Sequence, residues 1–150
     1  MNEHHAMKNR IASAVTFVFL AFAAFPAVAQ NQAWIRQFGT SLQDGTEAAA
    51  PDGSGGMYVS GETYGSLGGP NAGSRDAWLA HYDSAGIQAW IRQLGSNSED
   101  FAYAAAPDGS TGLYVGGETY GGLGGSNAGQ SDAWLARYDS AGNQSWIRQF

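Results

Sequence analysis

Trp34-Ile35-Arg36-Gln37-Phe38-Gly39 returns as Trp90-Ile91-Arg92-Gln93-Leu94-Gly95 and begins again at Trp146-Ile147-Arg148-Gln149-Phe150. The recurrence sets a period of 56 residues, slightly above the ~40–50 of most blade-type repeats and well above most helical ones. Aligned without gaps, residues 34–89 and 90–145 agree at about two-thirds of positions. Such repetition outranks any local motif, because each unit buries its apolar faces by stacking on its neighbours.

Within each period the sequence predicts four strands. The first is Ala33 to Phe38, closed by Gly39. Ala48 to Ala50 form the second, before Pro51-Asp52-Gly53, where Pro pre-sets φ, Asp bonds nearby backbone and Gly accepts positive φ. Met57 to Ser60 form the third, ending near Gly61-Glu62-Thr63, and Ala77 to Tyr82 the fourth, before the turn Asp83-Ser84-Ala85-Gly86. Short β-rich runs bounded by Gly, Pro, Asp and Ser read as strands, and no stretch after Gln30 sustains a helical period.

In the fourth strand, Ala77 and Leu79 on one face and Trp78, Ala80 and Tyr82 on the other are all apolar. A sheet with one wet face would alternate instead. Cover on both faces by like sheets explains the pattern, so the expected class is all-β: β-propeller blades with four antiparallel strands per 56-residue repeat. A solenoid also covers both faces, but four antiparallel strands per period match a blade better. The chain holds two whole repeats, 34–89 and 90–145, and the start of a third at 146–150. Propellers use about four to eight blades. The sequence is therefore expected to be the N-terminal part of a longer reading frame, with self-assembly of short chains into one ring as the competing expectation.

The same residues carry a resemblance. The pattern Asp-Ala-Trp-Leu-Ala-x-Tyr-Asp-Ser-Ala-Gly-x-Gln-x-Trp-Ile-Arg-Gln runs from Asp76 and again from Asp132. With Ala-x-Asp-Gly, Tyr-Val-x-Gly-Glu-Thr and Gly-x-Leu-Gly-Gly-x-Asn-Ala-Gly, it resembles the bacterial β-propeller repeat called SBBP over essentially all of 30–150. The resemblance implies large secreted or surface-associated bacterial proteins with many blades, and implies no catalytic residues. A weaker likeness to quinoprotein-type blades rests on the spacing of Asp83, Gly86 and Trp90 and carries over no quinone cofactor.

The N-terminus reads as an address. Lys8 and Arg10 precede an apolar run from Ile11 to Phe25, then Pro26 and Ala27-Val28-Ala29. A positive region, an apolar core and an A-x-A site make a secretory signal peptide over 1–29, leaving 30–150 as the incomplete propeller. The alternative is an uncleaved anchor, but the core is short against the roughly 20 residues that a bilayer needs. The expected location is secreted, whether periplasmic, extracellular or cell surface, with no membrane span once the signal is cleaved.

After Ala29 there are five arginines, no lysine and twelve acidic residues, a balance of −7. That surface repels phosphate backbones, so nucleic acid is excluded as a partner. With no cysteine, thiol catalysis and thiolate metal sites are excluded as well. The Gly-rich loops 65–69 and 121–125 are followed by no helix and so do not read as phosphate cradles.

Four residues stand out as ligand-binding candidates. Glu62 and Glu118 end the third strands, where they form either a carboxylate ring around a propeller mouth or acceptors for loop amides. Tyr64 and Tyr120 lie in loops, which carry function on rigid scaffolds. Asp52, Asp83, Asp108 and Asp139 read as turn formers, Trp34, Trp90 and Trp146 as packing between blades, and a cation held by Asp76 and Glu62 is a minor possibility. His81 faces Arg137 in the repeat, a tolerated swap with no Ser/His/Asp arrangement around it. No catalytic, cofactor or metal site is expected. The function expected is a non-catalytic scaffold or binding module for glycans or extracellular proteins; the alternative is the N-terminal fragment of a propeller hydrolase, lyase or oxidoreductase whose active site lies beyond residue 150.

Overall fold

The structure, a computed structural model, describes residues 32–150; the signal-peptide reading of 1–29 lies outside the described residues. The described chain is all-β. Its strands are β1 (Asp44–Pro51), β2 (Met57–Thr63), β3 (Asp76–Tyr82), β4 (Gln88–Leu94), β5 (Asp100–Pro107), β6 (Leu113–Thr119), β7 (Asp132–Tyr138) and β8 (Gln144–Gln149). They form two four-stranded antiparallel meanders, ordered β1-β2-β3-β4 and β5-β6-β7-β8. Among the described residues no helix is long and apolar enough to cross a membrane.

The turns follow their chemistry. Asp52 Oδ1 accepts the amides of Ser54 at 2.8 Å and Gly56 at 2.9 Å, closing the β1–β2 turn. Asp83 Oδ1 accepts those of Ala85 at 2.9 Å and Ile87 at 2.8 Å, closing β3 onto β4, and Asp108 and Asp139 repeat both patterns. These are Asx turns, in which a short carboxylate replaces a backbone acceptor.

Sheet and repeat are out of phase. Each sheet takes three strands from one repeat and its fourth from the Trp-Ile-Arg-Gln motif that opens the next. Ala33–Phe38, expected as a first strand, therefore has no strand assignment, although the same motif is paired at β4 and β8. A strand is made by its ladder, and this copy has no preceding hairpin partner among the described residues. The second and third strands also outrun expectation, reaching back to Asp44 and on to Thr63.

The two sheets pack face to face and do not close a ring. Their shared core joins Tyr58, Ala77, Leu79 and Trp90 of the first sheet to residues such as Leu113, Val115, Trp134 and Tyr138 of the second. Trp78, Ala80 and Tyr82 build a second cluster on the far face of the first sheet, under Trp34. β3 is thus buried on both faces apart from half-buried His81, as its composition demands. β7, nearly identical in sequence, alternates: Trp134, Ala136 and Tyr138 are buried, while Ala133 and Leu135 are exposed, with no third sheet over them among the described residues.

Candidate functional site

The four candidates sit at one end of the sheets, where β1 and β5 begin and β2 and β6 finish. Two indoles fix the backbone there. Trp78 Nε1 donates to the carbonyls of Gly45 and Glu62, both at 3.0 Å, and Trp134 Nε1 to those of Phe101 at 3.1 Å and Glu118 at 3.2 Å. The Trp of each Asp-Ala-Trp-Leu stretch therefore sets where the glutamate of its sheet stands. Both first strands, β1 and β5, also bulge here: the register shifts between Thr46 and Ala48 and between Ala102 and Ala104, leaving Glu47 and Tyr103 as the extra residues. A bulge bends its strand and re-aims the side chain it carries.

Glu62 is only 9 % exposed, and its Oε2 has no hydrogen-bond partner. Its carboxylate lies in the space a Cβ at Gly45 would take, whereas in the second sheet Phe101 stands opposite Glu118. Burial pushes Glu62 toward its neutral form; Glu47 adds to that and Arg75 opposes it. The loop amides that were to bond this glutamate are served elsewhere. Asp44 takes that of Thr40 at 2.6 Å, Asp76 that of Ala72 at 2.8 Å, and Asp100 that of Ser96 at 2.6 Å.

Tyr64 is half-buried and already engaged. Arg75 donates to its hydroxyl and lies 4.6 Å from its ring centre and 4.9 Å from that of Phe101, joining the two sheets. In the second repeat Ser131 replaces Arg75, and Tyr120 stays 44 % exposed with its ring edge-on to Phe101 at 6.4 Å. Tyr103 stacks on the same Phe101 at 5.4 Å, is 46 % exposed, and sends its hydroxyl toward Glu118 Oε2 at 3.4 Å. Burial raises the Tyr103 phenol, and Glu118 raises it further.

The structure therefore brings Glu118 and Tyr120 together around Phe101 and Tyr103, and sets Glu62 beside Glu47 and Arg75. Glu62 and Asp76 are not brought together. Asp76 pairs with Thr63, one residue along the ladder from Glu62, so the two side chains leave opposite faces. Among the described residues no group of three or more His, Cys, Asp or Glu is placed to hold a metal ion.

Phe101, Tyr103, Glu47 and Arg75 are not among the residues that the sequence singled out, which lie at matched positions of both repeats. Their signal was the reverse. Gly45 against Phe101, Glu47 against Tyr103 and Arg75 against Ser131 are positions where the repeats differ, and all gather at this end. The opposite end holds a cleft of about 380 Å³ between the sheets, lined by Asp52, Tyr58, His81, Ser110, Thr111 and Ser140. There His81 Nε2 meets Asp52 at 2.9 Å and Arg137 meets Asp108 at 2.6 Å, so the His/Arg swap keeps a partner for the turn aspartate.

Chemically, the strand-end site offers exposed aromatic faces beside carboxylate acceptors, which suits a ligand with both C–H faces and hydroxyl or ammonium donors. Comparison with protein-family models gives no match to this chain, and comparison with curated proteins gives none either.

Proposed function

We propose that residues 34–150 are consecutive blades of a bacterial β-propeller of the SBBP repeat type, exported by the signal at 1–29. In this reading the protein is a non-catalytic extracellular binding module. Its ligand is an uncharged or basic glycan held by Tyr103, Tyr120 and Glu118, with Glu62 and Glu47 at the neighbouring blade. One observation carries the reading. In two repeats that otherwise agree closely, substitutions to Phe101, Tyr103 and Ser131 gather around a shared glutamate and leave two tyrosines open. Structural drift would not favour exposed aromatics beside carboxylates, whereas sugar recognition uses that pairing.

The propeller reading is supported by the 56-residue period, by one four-stranded meander per period, and by burial of both faces of β3. The acidic surface argues against anionic glycans, which the −7 balance after Ala29 repels. A glycan array probed with the full chain, wild type and Glu118→Gln, tests the function. Uncharged or amino-sugar glycans are expected to bind the wild type and lose signal with the variant. Silence across the array, or binding only of sulfated and uronic-acid glycans, would contradict it.

A further inference from the structure

The seam between the two sheets carries different chemistry on its two walls. At matched repeat positions the first sheet has Gly45 and Glu47, the second Phe101 and Tyr103. Gly45 pairs with Glu62 as Phe101 pairs with Glu118, and Glu47 and Tyr103 are the bulged residues that follow. One wall therefore presents two carboxylates, and the other two rings stacked at 5.4 Å. β1 lies against β5, and Arg75, just before β3, reaches across to within 4.9 Å of the Phe101 ring centre. Both walls belong to the described sheets.

The carboxylate wall lacks positive charge. Glu62 shares the face of Ala77, its ladder partner, which is part of the core between the sheets. It is buried, and its Oε2 has no hydrogen-bond partner. Its other oxygen, Oε1, lies over Gly45, which offers no side chain. Glu47, beside it, is exposed. Burial and then Glu47 push Glu62 toward its neutral form, and Arg75 does not offset them. Arg75 is committed elsewhere: it donates to the Tyr64 hydroxyl, lies on the rings of Tyr64 and Phe101, and has Glu99 beside it. Among the described residues no arginine forms an ion pair with Glu47 or Glu62.

The donor set decides which cation fits. Calcium takes about six to eight oxygen ligands, more than two carboxylates give, and no group of three or more His, Cys, Asp or Glu is placed there among the described residues. An ammonium needs only two or three acceptors, and the carbon skeleton that carries it suits the rings across the seam. We propose that Glu47 and Glu62 form a subsite for a primary ammonium group, so that the ligand is a glycan with free amines, its sugar rings against Phe101 and Tyr103. This subsite rests on the glycan reading above and narrows its ligand to an amino sugar. The ammonium donates to Glu47 and to Glu62 Oε1, and supplies the counter-charge that the buried carboxylate lacks.

Calorimetric titration of the full chain at pH 6 with a glucosamine tetramer and the matching N-acetylglucosamine tetramer tests it, since the two probes differ at the amines. Wild type is expected to bind the free-amine tetramer about tenfold tighter or more, the scale of one charge-assisted hydrogen bond. Glu47→Gln and Glu62→Gln should each lower that ratio several-fold. Asp83→Asn removes the same charge at the other end of the sheets and keeps a turn-forming side chain, so it should leave the ratio unchanged. Glu47 is exposed, and its variant decides even if Glu62→Gln does not fold. Equal or weaker binding of the free-amine tetramer, a preference that survives Glu47→Gln, or one that falls as far in Asp83→Asn would overturn the ammonium subsite and leave the glycan reading standing. Binding of neither tetramer would overturn both.

Discussion

Trp90 of β4 stands over Gly142, the left-handed glycine of the β7–β8 turn, and donates its Nε1 hydrogen to the Ser140 carbonyl at 2.9 Å. The contact joins the edge strand of one sheet to a turn of the next. It depends on two properties of the glycine: its φ of +76°, and the absence of a Cβ that would fall 2.6 Å from the indole.

Gly142→Ala should therefore cost about 2–4 kcal/mol, combining left-handed strain with overpacking. Gly109 has a similar φ of +82° but open space around its missing Cβ. Gly109→Ala should cost only the backbone part, about 1–2 kcal/mol. Urea unfolding of both variants gives the difference; equal losses would mean that the Trp90 contact contributes nothing.

The turn aspartates are expected to make stability fall in acid. The hydrogen bond from His81 holds Asp52 well below its ordinary 3.8, with Ser54 and the Gly56 amide helping. Ser110, the Gly112 amide and Arg137 hold Asp108 down in the same way. A depressed folded-state value means the folded chain binds fewer protons than the unfolded one. That stability is fully present above about pH 4 and is lost as pH falls below it. Urea midpoints at pH 6 and pH 3 should drop steeply for wild type. For Asp52→Asn the pH 6 value should be lower and the drop smaller.

Glu62 behaves in the opposite sense. Burial raises it above its ordinary 4.5, so stability falls as pH climbs through that raised value. Glu62→Gln should increase the urea midpoint at pH 7, by about 0.5–1 kcal/mol of stability for relief of a buried, unpartnered carboxylate. The gain should vanish near pH 4, where wild-type Glu62 is protonated whether folded or not. Loss of stability at pH 7 would show the carboxylate to be a structural acceptor.

Leu79 and Leu135 occupy one repeat position under different cover. Leu79→Ala should cost about 2–5 kcal/mol, as deletion from a packed core does. Leu135→Ala, at an exposed position, should cost under about 1 kcal/mol. Thermal unfolding of the two variants measures the asymmetry directly.

The contrast between Leu79 and Leu135 also marks what the sequence could tell. Turns, strand centres and the double burial of β3 were legible, because Pro51-Asp52-Gly53 and the unalternating Ala77–Tyr82 run encode them locally. The phase of the sheets was not. Ala33–Phe38 differs from Ala89–Leu94 of β4 only by Phe38 for Leu94, and only the presence of a hairpin partner separates strand from strap. The glutamate end was legible in part. Glu118 and Tyr120, chosen for a strand end and a loop, stand together, while Tyr64, chosen like Tyr120 for its loop, is held by Arg75, whose repeat counterpart is Ser131. Tyr103 was hidden because a bulge, invisible in composition, re-aims it.

The proposed ligand site at Phe101, Tyr103, Glu118 and Tyr120 is tested by backbone amide shifts followed during titration of the isotopically labelled full chain with an uncharged oligosaccharide. Saturable shifts confined to residues 101–103 and 118–121, lost in Tyr103→Ala, are expected. Shifts centred instead on the Asp52–His81 cleft at the other end of the sheets, or none at millimolar sugar, would contradict it.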